Sequence, residues 1–282
     1  MKKMMLLGIL CLSRFTVLYA QENKTKSGSG QYKAEEGDVV QGQVKEYKTK
    51  LTNSSDQKVT ITLNAANLKI EGYSGNELII QTSAKLPVVP ERAKGLRPLY
   101  NSAVDNTGIG LAVTTEDGGL HIESASPRNV PYTIRIPQKV AILYEQINWN
   151  MGHVTIQNVD GDLELRTNNG SISLTDVTGP IVANTTNGEV KVAFSTLNQR
   201  KPTAITTING SIDVTLPATT KANFKLSNIN GGIYSDFDFG VNKKDGLTRM
   251  GGGYSSNGTT NGGGVDLQLK TINSDIYIRK QK

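Results

Sequence analysis

The sequence predicts an all-β protein that folds as a parallel β-solenoid, a β-helix or β-roll with turns of about 18–22 residues. Three observations support this. Apolar and polar residues alternate in stretches such as GSISL and GEVKV, which is typical of strands with one buried face. The sequences before successive glycines alternate between two types. Glycines also recur at nine-residue intervals, at Gly152, Gly161, Gly170, Gly179 and Gly188.

The two types of glycine-containing corner define the length of the repeat. NVDG and DVTG form the first type, whereas TNNG and TTNG form the second. The second type recurs at intervals of 18, 22, 21 and 43 residues, ending at Gly170, Gly188, Gly210, Gly231 and Ser274. A unit of this length holds two short strands and buries a core only when several copies stack.

The corner residues have predicted structural roles. Asn-Gly tolerates the positive φ that a sharp corner can require. We therefore assign seven structural corners, at Gly152, Gly161, Gly170, Gly179, Gly188, Gly210 and Gly231. If the turns stack about 4.8 Å apart, the preceding asparagines form a ladder of side-chain hydrogen bonds. Its predicted members are Asn169, Asn187, Asn209, Asn230 and Asn273.

An antiparallel sandwich is the main structural alternative. Asn-Gly between two strands is also a signal for a type I′ hairpin. Hairpins require neither equal spacing nor two alternating corner types, so the pattern favours the solenoid.

Residues 1–20 have the pattern of a secretory signal peptide, with a basic start, an apolar run and Ala20 before the cleavage point. Cleavage there reduces the formal net charge from +6 to +3. The single cysteine, Cys11, is preceded by Leu10, which disfavours a lipoprotein. The prediction is an exported chain of the periplasm, outer envelope or extracellular space, without a mature thiol or a membrane span.

The remaining chain divides into a polar linker with an N-terminal segment, residues 21–58, and a solenoid domain, residues 59–282. The first strands of the domain are expected to form an irregular N-terminal cap. Two inserted loops are predicted. Residues 85–117 contain three prolines, and residues 240–264 contain the run GGGYSSNGTTNGGG.

Several segments resemble a known family. TNGxIxV units, the stretch VTGPIVANTTNGEVKVAF and the excursion AKGLRPLYNSAVDNTGIGLAV are similar to the bacterial β-strand-repeat "putative adhesin" family. This is a domain-of-unknown-function family, and the resemblance covers about Leu63 to the C-terminus. It implies an exported β-solenoid and gives modest support to a binding role. It assigns no catalytic residues to this chain.

Metal sites are not expected. The nine-residue calcium-binding repeats place Gly and Asp at fixed positions in each turn, whereas Asp160, Asp162 and Asp176 do not recur in this way. Zinc or iron needs several nitrogen or sulfur ligands, and the mature chain has only His121 and His153. The sequence therefore predicts no metal and no cofactor.

A carbohydrate-active, polysaccharide-cleaving enzyme is the first alternative function. Glycosidases use two carboxylates about 5–9.5 Å apart, and Asp162 and Glu164 are expected to share the outer face of one strand. Arg166 and Lys191 are expected nearby, so a charge-paired solvent face explains the same residues. An envelope sensor or regulatory accessory protein is the second alternative. We predict that the chain is not an enzyme.

The preferred prediction is a non-catalytic, adhesin-like binding or scaffold protein whose partner is a glycan or a surface protein. Nucleic acid is disfavoured, because the net charge is small and basic residues do not cluster. Tyr100, Trp149, Tyr234 and Tyr254 are candidate contacts. Of these, Trp149 also fits a cap over the core, and Tyr254 is the better candidate for an exposed contact. Three further candidate contacts lie in the first inserted loop: Arg92, Arg97 and Asp105. The same loop is equally consistent with a structural role in which it covers a sheet edge.

Overall fold

The computed structural model describes residues 43–51, 57–64, 67–86, 91–93, 95–96, 103–126, 128–146, 152–239, 248–250 and 253–282. The chain divides into two units, Met1–Asp38 and Val39–Lys282, and the described residues belong to the second. The predicted signal peptide lies outside the described residues.

The described residues form strands and one 3₁₀ turn, Glu91–Ala93. The strands are β1 (Lys45–Lys50), β2 (Lys58–Leu63), β3 (Asn67–Tyr73), β4 (Glu77–Thr82), β5 (Leu111–Glu116), β6 (Gly119–Ser124), β7 (Tyr132–Pro137), β8 (Ala141–Gln146), β9 (Gly152–Gln157), β10 (Leu163–Thr167), β11 (Gly170–Val177), β12 (Ile181–Thr185), β13 (Val190–Phe194), β14 (Thr203–Thr207), β15 (Ile212–Leu216), β16 (Ala222–Asn228), β17 (Ile233–Ser235), β18 (Thr248–Met250), β19 (Gly253–Thr260), β20 (Val265–Thr271) and β21 (Ile276–Lys280). The all-β prediction is confirmed.

The strands form two large sheets. A ten-stranded sheet has the order β1-β4-β7-β3-β9-β11-β13-β15-β21-β17. An eleven-stranded sheet has the order β18-β19-β16-β20-β14-β12-β10-β8-β2-β6-β5. Both sheets contain parallel and antiparallel pairs, so the observed class is all-β with two mixed sheets.

The central part of the chain, β8 to β15, is the most regular. Successive strands alternate between the sheets, and each pairs in parallel with the strand two places further along. Ile172 lies opposite Val190, and Val190 lies opposite Ile212. All three side chains are buried in the hydrophobic core. The period-two pattern therefore identified the core-facing residues here correctly.

The two ends depart from the sequence order. At one end, β2 and β3 lie between β6–β7 and β8–β9. At the other end, β20 and β21 lie between β14–β15 and β16–β17. At each end, one pair of strands lies on the inside of the stack and separates two pairs that it does not adjoin in the order of the sequence. The order of the turns in space therefore differs from their order in the sequence at both ends.

Residues predicted to be inserted loops also contribute strands. The strand β5 lies in 85–117, and β18 and β19 lie in 240–264. Because β19 pairs antiparallel with β16 along its length, the glycine-rich run extends the sheet. In addition, β1 lies within 21–58, for which the sequence indicated only a linker and an N-terminal segment.

The glycine corners have two physical bases, of which only one, a positive φ, was predicted. All seven lie at or beside strand ends, and Gly179 has a positive φ of 52°. In contrast, Gly188 and Gly210 do not lie in the positive-φ region. A Cβ at Gly188 would lie 2.2 Å from the Gly170 carbonyl oxygen, and one at Gly210 would lie 1.8 Å from the Gly188 oxygen. Close approach of stacked backbones therefore requires glycine at these corners.

Candidate functional site

The predicted asparagine ladder is present at one row of corners. Asn187 donates its side-chain amide to Asn169, and Asn209 donates to Asn187, each at 2.6 Å. Asn273 donates to Asn209 at 2.6 Å, and Asn230 donates to Asn273 at 2.8 Å. The ladder is confirmed, but Asn273 precedes Asn230 in space because β20–β21 lies inside β16–β17.

A second ladder, of threonines, lies beside the first and was missed in the sequence. The Thr185 hydroxyl donates to the Gly170 carbonyl oxygen at 3.2 Å, and Thr271 donates to the Gly210 oxygen at 2.9 Å. The signal was the threonine that opens TNNG, TTNG, TING and TINS. These glycine carbonyls point toward the next turn, where they accept a hydrogen bond. The carbonyl of Gly170 also leaves no room for a Cβ at Gly188, whereas the turn that stacks on Gly210 carries Ser274.

Between the two ladders, the corners of the last turns carry isoleucine. Ile208 is 39% exposed and Ile229 is 40% exposed. Ile272 lies between them, since Asn273 N–H donates to the Ile208 carbonyl and Asn230 N–H donates to the Ile272 carbonyl. Ile272 is half-buried. Isolated exposed apolar residues are common, whereas here three successive corners carry isoleucine, and we call this row the apolar ridge.

An aromatic column lies on the outer face of the ten-stranded sheet at the same end of the molecule. Tyr277 of β21 lies opposite Tyr234 of β17. The two rings stack with centroids 5.4 Å apart and an interplanar angle of 15°. The Arg279 guanidinium lies 5.2 Å from the centroid of the Tyr277 ring. Tyr234 is 55% exposed. We call Arg279, Tyr277 and Tyr234 the tyrosine column.

Two carboxylates hold the tyrosine column. Asp275 accepts hydrogen bonds from the Gly232 N–H at 2.7 Å and the Tyr277 hydroxyl at 2.8 Å. These bonds lower the pKa of Asp275, and the bond to Asp275 raises the pKa of the Tyr277 hydroxyl. The single Nε–H of Arg279 donates a bifurcated hydrogen bond to the two carboxylate oxygens of Asp213, at 2.9 and 3.0 Å. These hydrogen bonds therefore fix the orientations of Tyr277 and Arg279.

Glycine also positions the exposed ring of the column. A Cβ at Gly232 would lie 2.6 Å from three atoms of Tyr234, including its hydroxyl oxygen. The ring therefore lies against the backbone of Gly232, whose N–H is bound to Asp275. Tyr234 is a candidate contact in the sequence, but no local pattern connects it to its partner Tyr277, which is 43 residues away along the chain.

Of the contacts predicted from sequence, Trp149 and Arg97 lie outside the described residues. Tyr254 lies in β19 opposite Asn228, and its side chain is also outside the description. Arg92 is exposed in the 3₁₀ turn. A binding role for these residues stays a prediction.

Asp105 organises the loop that precedes β5. Its carboxylate accepts hydrogen bonds from the backbone N–H groups of Thr107, Gly108 and Gly110 at 2.9, 2.8 and 2.9 Å. The buried Tyr132 hydroxyl donates to the Ile109 carbonyl at 2.8 Å, and burial raises the pKa of this hydroxyl. Because its carboxylate already accepts these hydrogen bonds, we favour a role for Asp105 in shaping the loop over a role in contacting a ligand.

The candidate catalytic carboxylates are engaged in exposed ion pairs. Asp162 lies 2.6 Å from Lys201, and both residues line a groove of about 360 Å³ together with Glu164. Arg166 contacts Glu164 and also lies 2.9 Å from Glu145. Lys191 is on β13 of the ten-stranded sheet, so its expected proximity to this cluster on β10 is wrong.

Other sites for chemistry were sought in the described part of the chain. A larger groove, of about 460 Å³, is lined by residues that include His153, Lys69 and Tyr132, but no carboxylate lines it. The described residues include no group of three or more His, Cys, Asp or Glu side chains able to hold a metal ion. His121 and His153 lie on different sheets. No helix among these residues is long and apolar enough to cross a membrane.

Comparisons with known proteins place this chain in a family. A putative cell adhesion protein from Clostridium sporogenes has 11% identity and a TM-score of 0.40, covering 84% of this chain and 100% of that one. A putative adhesin from Bacteroides fragilis has 11% identity and a TM-score of 0.37, covering 84% and 97%. No curated protein matches. A family model described as Toastrack DUF4097 matches residues 13–279, and the chain therefore belongs to the Toastrack DUF4097 family.

Proposed function

We propose that this protein is an exported, non-catalytic binding protein of the cell envelope or surface. The observation that carries the proposal is the exposed tyrosine column beside the apolar ridge of Ile208, Ile272 and Ile229. Aromatic and aliphatic side chains held at the surface of a rigid scaffold are typical of interaction sites.

The scaffold for this site is proposed to be a parallel β-solenoid. The alternation of β8 to β15 between two sheets, with parallel pairing two strands apart, supports this interpretation. The asparagine and threonine ladders support it as well, because identical side chains repeat at each turn. A solenoid presents long faces to a partner without moving its backbone.

A non-catalytic role fits the chemistry of the charged groups better than glycan cleavage. A glycosidase needs one carboxylic acid with a raised pKa beside an ionised carboxylate. Asp162 and Glu164 each contact a basic side chain at the exposed surface instead, Lys201 and Arg166 respectively. We therefore expect no release of reducing ends from polysaccharides incubated with the protein.

Binding and export are tested separately. The full chain, purified, is applied to immobilised bacterial cell-wall material, to a panel of glycans and to surface proteins, with binding measured by biolayer interferometry. Saturable binding to any of the three without turnover is the expected result, and the absence of binding to all three would contradict the proposal.

N-terminal sequencing of the protein from the producing cells should begin at Gln21, and an intact Met1 would contradict export through this signal.

A further inference from the structure

We propose that the outward face of Tyr234 is a stacking platform for one pyranose ring of a neutral glycan. This inference rests on the proposed binding function and deepens it by naming the site and the ligand class.

The first step is that the tyrosine column is closed at one end and open at the other. Arg279 bonds to Asp213 of β15, so its guanidinium lies on the β15 side of Tyr277. Tyr234 lies on the opposite side of Tyr277. β17 is the outermost described strand of this sheet. Among the described aromatic residues, only Tyr277 stacks on the ring of Tyr234. The Gly232 backbone also lies against this ring near its hydroxyl, but Tyr234 is 55% exposed, so part of the ring is open to a ligand.

The second step concerns the size of the partner. The open end of the tyrosine column is a single aromatic ring, whereas a stable protein–protein interface needs about 800 Å² from each partner. A sugar ring has the dimensions of a single aromatic ring. Its axial C–H groups carry partial positive charge, which the electron-rich face of tyrosine attracts.

The third step is the polar surroundings, which select among ligands that stack. Asp236 is exposed two residues after Tyr234, and its carboxylate accepts a hydrogen bond from the Lys280 N–H of β21 at 3.4 Å. Asp275 is bonded to Gly232 and Tyr277 within the column. These carboxylates accept hydrogen bonds from sugar hydroxyls but repel phosphates, which disfavours a nucleic acid base as the stacked group. Asn230 ends the asparagine ladder two residues before Gly232 and donates its own amide to Asn273, so its carbonyl oxygen adds a hydrogen-bond acceptor.

The fourth step is pre-organisation. Asp275 connects Gly232, at the start of β17, to Tyr277 on the neighbouring strand. Tyr234 lies against Gly232 and against the Tyr277 ring, so little side-chain freedom is left to lose on binding. A rigid aromatic platform with acceptors beside it is the expected form of a small-ligand site.

The test uses the full chain and a panel of neutral oligosaccharides with cello-, chito-, manno- and galacto-configurations, measured by isothermal titration calorimetry. Tyr234→Ala is expected to weaken the tightest interaction about 10-fold or more. Tyr234→Phe keeps the stacking face and is expected to bind within about 3-fold of the wild type. Val182→Ala, a change at a 39% exposed residue on the other sheet, serves as the matched control and should bind like the wild type.

The outcomes separate this inference from the proposed function. If neutral glycans bind and Tyr234→Ala binds equally well, the assignment of the site is overturned while the binding function survives. Binding only to a protein or to an anionic polymer would overturn the neutral-glycan assignment and leave the broader function in place. Absence of binding to every probe would overturn both. Equal melting temperatures of Tyr234→Ala and wild type would show that any lost affinity reflects the missing ring.

Discussion

The central strands and the two ends of the molecule differ in the order in which their strands stack. From β8 to β15 each strand pairs with the strand two places further along, so the order in sequence is the order in space. At the ends, β2–β3 and β20–β21 lie inside strand pairs that are not their sequence neighbours, and antiparallel strands extend the sheets. The comparison teaches that identical local repeats do not specify which turn stacks on which.

The largest expected effect on stability comes from removing the C-terminal strands, which lie in the interior of both sheets. Deleting residues 265–282 removes β20 and β21, including the buried Leu267, Leu269, Ile276 and Ile278. Burying four such side chains stabilises a fold by about 6–12 kcal/mol, which is comparable with the whole stability of a typical domain. We expect this variant to lose its cooperative urea-unfolding transition.

The control removes residues 1–50, which deletes the edge strand β1 with its largely exposed side chains. This variant should keep a cooperative transition. If instead the C-terminal deletion retains a near-normal transition, β16–β17 can stack directly on β14–β15, and the interior strands would be dispensable.

The next effect compares two corners of the same row. Gly210→Val places a Cβ at the position 1.8 Å from the Gly188 carbonyl oxygen, so neighbouring backbones must separate. We expect a loss of about 3 kcal/mol or more in the free energy of unfolding. At the corresponding position near the C-terminus the chain already carries Ser274, and Ser274→Val should cost much less. Equal losses in urea titrations would contradict close approach as the reason for glycine.

A smaller effect compares the middle and the end of the asparagine ladder. Asn209 makes two ladder bonds, to Asn187 and Asn273, whereas Asn230 makes one. Each net hydrogen bond contributes about 0.5–1.5 kcal/mol. Asn209→Ala should therefore lower the free energy of unfolding about twice as much as Asn230→Ala. Identical losses would indicate that the ladder bonds do not contribute individually.

The smallest effect concerns the pH dependence of the end that carries the tyrosine column. Hydrogen bonds from the Gly232 N–H and the Tyr277 hydroxyl lower the pKa of Asp275 in the folded state. A lowered pKa means that Asp275 stabilises the fold above its unfolded pKa of about 3.9. This contribution is lost as the pH falls through the lower folded value. The stability difference between wild type and Asp275→Asn should thus be larger at pH 6 than at pH 2.5 in urea titrations, and a constant difference would contradict this role.

Particular residues show how much of the fold could be predicted from the sequence. The alternation around Ile172, Val190 and Ile212 predicted both the strands and their buried faces, because a strand exposes successive side chains to opposite sides. The asparagine ladder followed from the same repeat. The strand β19 was not predicted, because GYSSNGTT has turn-like composition and becomes a strand only by pairing with β16.

The candidate site was less predictable than the fold. Tyr234 appeared in the sequence as one of several exposed aromatic candidates, and nothing near it indicated a partner. Its partner Tyr277 becomes a neighbour only because β21 pairs in parallel with β17. Arg279 and Asp213 reach the same column through the pairing of β21 with β15.

The sequence by itself determined the local properties of this protein: which residues form strands in the repeats, which side chains face the core, and which side chains repeat at the corners. These depend on alternation and spacing along one stretch of chain. The tertiary structure alone decided the order of the end strands, the need for glycine at Gly188 and Gly210, and the tyrosine column. Each of these depends on which distant segment lies about 4.8 Å away in the sheet, and a local pattern does not contain that information.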